Sequence, residues 1–118
     1  MRKIIRLSMI CKPWDIVVIP FPFVGMELQK TRPVLVLSSK EFNQANDNFL
    51  AAMITSAKNS SWLGDTPISS IAETGLKVNC QIRLKIFCLP HKIKPRVVGR
   101  LGEDDQRFFK SNWVKYII

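Results

Sequence analysis

Apolar residues fall in short runs along this chain, each cut by proline, glycine, asparagine or charge, and the spacing within the runs is mostly that of strands. Asp15-Ile16-Val17-Val18-Ile19-Pro20-Phe21-Pro22-Phe23 is β-branched and then aromatic, a composition that suits a pleated, half-buried surface. Its two prolines lack the N–H that a ladder needs, so an edge or barrel-rim strand is predicted. Val24 to Lys30, with one glycine and no periodicity, reads as the loop of a hairpin returning through Pro33 to Ser38. Lys40 to Asn46 suits a short helical turn, Asn48 to Thr55 a third strand, and Ala57 to Gly64 a polar surface loop.

Further on, Asp65 to Ser69 is predicted as a short strand and Ser70 to Gly75 as a helical turn stopped by glycine. Asn79 to Leu89 alternates, with Cys80, Ile82, Leu84 and Ile86 on one side and Gln81, Arg83 and Lys85 on the other. That period predicts a half-buried strand with Arg83 on its outward, solvated side. Val97 to Leu101 is the last strand. A helix follows: Gly102 caps it, Glu103, Asp104 and Asp105 complement its N-terminal dipole, and Phe109, Trp113, Tyr116 and Ile117 recur at helical spacing. The acidic run is thereby explained as a helix start rather than a metal cluster. Many short strands and one terminal helix predict a mainly β (α+β) fold, a small SH3-like β-barrel with short helical turns and a C-terminal α-helix.

With 118 residues, 47% of them hydrophobic, the chain suffices for one core and is short for two. A single domain is expected over residues 12–118, with 1–11 as a poorly ordered N-terminal extension or the result of a start codon that belongs at Met9. Eighteen basic against nine acidic side chains give a net charge of +9. The surplus lies before the terminal helix, since residues 103–118 hold three of each. Such a field favours a polyanion, most simply nucleic acid, and also suits an acidic protein or an anionic membrane surface. Cys11, Cys80 and Cys88 are odd in number and widely spaced, which argues against a disulfide framework or a zinc site and for a reducing cytoplasm. Arg6 and Lys12 interrupt the apolar N-terminal stretch before it reaches signal or membrane length, so no membrane association is expected.

Two segments carry candidate chemistry. Arg32 precedes Pro33, whose ring bars the helical region to the residue before it, so the guanidinium springs from an extended backbone. Thr55 and Ser56 close the apolar run Ala52-Met53-Ile54, where a strand should meet solvent. A guanidinium fork and a hydroxyl on adjacent strand ends suit a phosphodiester in its transition state. Phe21, Phe23 and Trp62 are aromatics that either stack on bases or fill the core. His91, the only histidine, follows Leu89-Pro90 in a turn and is read as structural.

The order of these segments resembles the MazF and PemK-type toxins of bacterial toxin–antitoxin pairs. The resemblance rests on Asp15 to Phe23, Arg32 to Ser38, Ile54-Thr55-Ser56, Gly75-Leu76-Lys77, Cys80-Gln81-Ile82-Arg83 and Gly99-Arg100-Leu101, and spans residues 12–118. It implies an endoribonuclease that cuts single-stranded messenger RNA with neither metal nor cofactor, on a homodimeric barrel, and an acidic antitoxin that wraps the toxin. Carried onto this chain, the catalytic pair is Arg32 and Thr55, and the groove is lined by Phe23, Lys30, Ser56, Arg83 and Lys85. Three departures stand out. Lys85 occupies the place of an aspartate with a proposed acid–base role in PemK-like relatives, Trp14 replaces a glycine common before the first strand, and residues 24–28 are more apolar than the usual loop. A non-catalytic RNA- or protein-binding module of the same fold, and a toxin directed at gyrase, are the competing readings.

Overall fold

Hydrogen-bonded neighbours run antiparallel throughout the sheet that organises this protein. The structure is a computed structural model describing residues 10–21, 30–58 and 60–118. Among these residues the strands are β1 (Asp15–Phe21), β2 (Lys30–Val36), β3 (Asn48–Ser56), β4 (Thr66–Pro67), β5 (Cys80–Pro90) and β6 (Arg96–Arg100), in the spatial order β4-β5-β3-β2-β1-β6. Helix α1 (Lys40–Asn46) links β2 to β3, and α2 (Glu103–Tyr116) ends the chain. The architecture is the expected one, mostly β and strongly curled with a C-terminal helix, although the sheet closes only as a half-barrel.

Alternation along the central strands divides the apolar residues between the two faces of the sheet. Ile16, Leu35, Ala52 and Ile54 join Ile82, Leu101 and Phe109 in one cluster, which Trp113 of α2 also packs against. Val17, Ile19, Val34, Val36, Phe49 and Ala51 form the other, together with Cys11. Beyond β6 the gap is covered by a 3-10 turn, Ile71–Thr74. Gly99 permits this approach: a Cβ there would lie 2.3 Å from the carbonyl carbon of Thr74. At the opposite edge α2 is pinned by Asp105, which accepts from Ser69 N (2.9 Å), Ser69 Oγ (2.6 Å) and Ser70 N (3.2 Å), and by Asn112, which donates to Thr66 Oγ1 (2.9 Å).

Several expectations need correction. β1 is not an edge strand: it lies between β2 and β6. Its pairing with β6 ends at Val18 opposite Arg96, so Pro20 adjoins only β2 and interrupts nothing on the other side. Cys11, just before the expected domain start, packs into the folded body. Cys11 is 1% exposed, its N–H donates to His91 Nε2 (3.3 Å), and its carbonyl accepts from the buried Asn43 (2.9 Å). The alternation of β5 also fails past Ile82, since Arg83 is buried and both Lys85 and Ile86 are exposed. The cause is a register shift against β3: Ala52 faces Ile86 while Ile54 faces Ile82, so β5 carries two extra residues across that interval. Bulged residues leave the pleat and turn their side chains to new directions.

Trp14 adopts φ 73°, in the left-handed region that favours glycine. Its N–H donates to Val36 O (2.9 Å) and its carbonyl accepts from Leu101 N (3.0 Å), which ties β2 to the end of β6. The ring meets Phe109 edge-on at 6.1 Å. A left-handed non-glycine residue costs about 1–2 kcal/mol, less than a large aromatic returns by burial. Urea denaturation should therefore find Trp14→Gly less stable than the wild type by about 1–3 kcal/mol. Trp14→Ala, which keeps the backbone penalty, should be about 1 kcal/mol worse still; equal stability of the two variants would remove the strain argument.

Burial, aided by the Asp15 carboxylate, pushes the Cys11 thiol up to about 12 from an ordinary 9.0. Above pH 9 the unfolded chain releases this proton before the folded one does, so stability must fall with rising pH, by up to about 1.4 kcal/mol per unit. Comparison of urea midpoints at about pH 8 and about pH 10 should show a steeper decline for the wild type than for Cys11→Ala.

Candidate functional site

The geometry of the site follows from register. In the β1–β2 ladder Arg32 faces Ile19, and in the β2–β3 ladder Val34 faces Met53. Continuing that second register by two residues sets Arg32 across from Thr55. Directly opposed residues share a face, and Arg32 has the phase of Val34 and Val36, as Thr55 has that of Ala51. Both side chains therefore emerge on the same face, just past the apolar rows, and both are half-buried with access to solvent. The β2–β3 ladder ends at Val34, next to Pro33, which has no N–H to extend it.

On the other flank of β3, Thr55 faces Gln81 and Ser56 faces Cys80. Ile19 pairs with Arg32 and Thr55 with Gln81, and the continued β2–β3 register aligns these two pairs in one row. Ser56 is half-buried and its hydroxyl accepts from Lys58 N (3.3 Å), which turns the chain into the following loop. Burial raises the pKa of the Cys80 thiol, which faces Ser56 at the end of β3. Gln81 belonged to a motif in the sequence, yet only its pairing with Thr55 marks it as part of the site.

Arg83 is the main correction. Expected as a solvated charge on the outward side of its strand, it is 6% exposed. Its Nε donates to Asp65 Oδ1 (3.1 Å) and its Nη2 to Asp65 Oδ2 (2.9 Å). Nη1 reaches Ser60 Oγ (3.3 Å) and Nη2 the Ser60 carbonyl (2.9 Å). The Asp65 hydrogen bonds outweigh burial and, with that carboxylate's charge, raise the guanidinium pKa above its usual value. These donors are engaged within the protein, so Arg83 fastens a loop onto β5 instead of presenting a charge to the groove. Lys85 is exposed. Lys30 opens β2 opposite Phe21, and Phe23 lies outside the described residues.

His91 stands at the far end of β5 from this row. It is buried against Phe49, with ring centroids 5.0 Å apart. Among the described residues no group of three His, Cys, Asp or Glu side chains is arranged to hold a metal ion.

This half-barrel is the frame of solved toxin structures. MazF from Deinococcus radiodurans (Form-I) matches with a TM-score of 0.70 over 90% of this chain and 94% of that one, at 17% identity. The toxin MazF-mt6 of Mycobacterium tuberculosis gives 0.66 over 83% and 90%, at 19% identity. An endoribonuclease in complex with its cognate antitoxin, from a mycobacterial species, gives 0.68 over 90% and 91%, at 10% identity. Likeness at such identities is one of fold. No curated protein sequence matches. Residues 12–110, however, match the family model of PemK-like, MazF-like toxins of type II toxin–antitoxin systems, and the chain belongs to that family.

Breaking a buried ion pair leaves one charge without compensation. Asp65→Ala should cost about 3–5 kcal/mol of unfolding free energy, whereas Lys85→Ala should stay within about 0.5 kcal/mol of the wild type. Equilibrium denaturation of the two variants checks both values; a mild Asp65→Ala would mean that the loop is not fastened as described.

Proposed function

We propose that this protein is the toxin of a type II toxin–antitoxin pair and acts as a metal-independent endoribonuclease on single-stranded RNA. The observation that carries the reading is the register of β2 on β3, which, continued past Val34, brings Arg32 and Thr55 to one face of the sheet, both half-buried. In the proposed reaction the ribose 2′-hydroxyl attacks the adjacent phosphorus and the 5′-oxygen leaves, giving a 2′,3′-cyclic phosphate and a 5′-hydroxyl. Negative charge gathers on the non-bridging oxygens as the phosphorane forms. The planar Arg32 guanidinium can give them two hydrogen bonds, a match that an ammonium lacks, and Thr55 Oγ1 a third. Arg32 acts here through its hydrogen-bond donors, as a stabiliser of the developing charge.

Ser56, next to Thr55, would contact a neighbouring phosphate, and Lys30, Phe23 and Lys85 would add further contacts to the RNA. An acidic antitoxin suits the +9 charge, and a solved neighbour of this fold is held with its cognate antitoxin. A homodimer in the cytoplasm follows from kinship. Among the described residues no helix is long and apolar enough to cross a membrane. Lys85, standing where PemK-like relatives carry an acid, favours a second reading in which the module binds RNA without cutting it.

One assay separates the two. Wild-type protein with EDTA should fragment a single-stranded messenger into pieces bearing 5′-hydroxyl ends, and Arg32→Ala should slow this by about 10²–10³-fold with an unchanged melting temperature. Cleavage that persists undiminished in Arg32→Ala, or that EDTA abolishes, would overturn the proposal; RNA bound but left intact by the wild type would select the binding module.

A further inference from the structure

We propose that Trp62 is a stacking platform for a nucleobase of single-stranded RNA flanking the cut, prebuilt by Arg83 and Asp65; the choice of ligand rests on the ribonuclease reading. Trp62 is 47% exposed, an unusual state for so large an aromatic. It is nevertheless held firmly. The Arg83 guanidinium carbon lies 4.7 Å from its ring centroid. Asp65, which binds that guanidinium through two oxygens, also accepts the Trp62 backbone N–H on Oδ2 (2.8 Å). One carboxylate therefore fixes both the ring's backbone and the cation packed against the ring. An aromatic surface immobilised in advance has little freedom left to lose when a base settles on it.

The platform is also tied to the reacting row. The Ser60 carbonyl accepts from Arg83 Nη2 and, at 3.0 Å, from Nε2 of Gln81, the residue facing Thr55. Ser60 is thus joined to the neighbour of Thr55 and not to Thr55 itself, which suits contact with an adjoining nucleotide and not with the scissile phosphate. Lys58 and Lys85, both exposed, lie close by in sequence. A flat ring backed by a cation on a strongly basic protein suits a ligand that combines planar bases with negative charge.

The test uses the full chain and two fluorescein-labelled oligonucleotide probes of one length. The first is a random-sequence strand, 2′-O-methylated throughout, which cannot undergo attack by its own 2′-oxygen. The second is an abasic strand, likewise 2′-O-methylated, with the same number of phosphates. Fluorescence anisotropy should show Trp62→Ala binding the first about tenfold more weakly than the wild type, Trp62→Phe within about threefold, and the abasic strand bound equally by all three. Unchanged binding of the methylated strand by Trp62→Ala would overturn the platform. An equal loss for both probes would do the same, by showing that Trp62 acts on phosphate contacts; so would a Trp62→Ala defect confined to binding of poly-glutamate, which would give the surface to an acidic protein. Because neither probe is cleaved, the outcome is independent of whether Arg32 supports catalysis.

Discussion

The register of β2 between β1 and β3 is the constraint on which both core and site depend. Side chains on a strand alternate strictly, so sliding β2 by one residue would move Val34 and Val36 out of one apolar cluster and Leu35 out of the other. The same slip would turn Arg32 to the face opposite Thr55. Two-sided burial makes this register costly to leave, and the candidate catalytic pair inherits its alignment from hydrophobic residues that take no part in chemistry. That division of labour is economical: the apolar rows supply the rigidity and the strand ends supply the polar groups.

Asymmetry in β5 provides the second half of the site. Two extra residues relative to β3 turn Arg83 away from the alternating pattern and toward the loop before β4. A guanidinium in that position, nearly excluded from water, is tolerable only when its donors are met, and Asp65 and Ser60 meet them. The loop that follows Thr55 and Ser56 is thereby attached to the strand beside them, and Trp62 is carried with it. Closure of the half-barrel works by similar local fits, with Gly99 admitting the backbone of Thr74 and Trp14 holding a glycine-like conformation because its ring is well packed.

Much of this was legible in the residue order. β-branched runs and proline and glycine punctuation marked most strand positions, and the acidic run with Phe109 and Trp113 marked the terminal helix. Arg32 before Pro33 and the hydroxyls after Ile54 could be singled out because local chemistry is written in neighbouring residues. What misled was equally local. The prolines of the first strand suggested an edge, because nothing nearby says that β6 stops pairing at Val18. The neat alternation around Arg83 suggested a solvated charge, because a bulge is defined by the partner strand and not by the strand that carries it.

The amino-acid order therefore settled the class of fold, the location of the polar strand ends and the basic character of the surface, all of which follow from short-range preference and composition. Pairing between distant segments decided the rest: that Arg32 and Thr55 share a face, that Gln81 lies beside them, and that Arg83 is buried on Asp65 while Trp62 stays exposed above it. These outcomes depend on long-range register and on the desolvation of charge, which are properties of strands brought together and of no single stretch of chain.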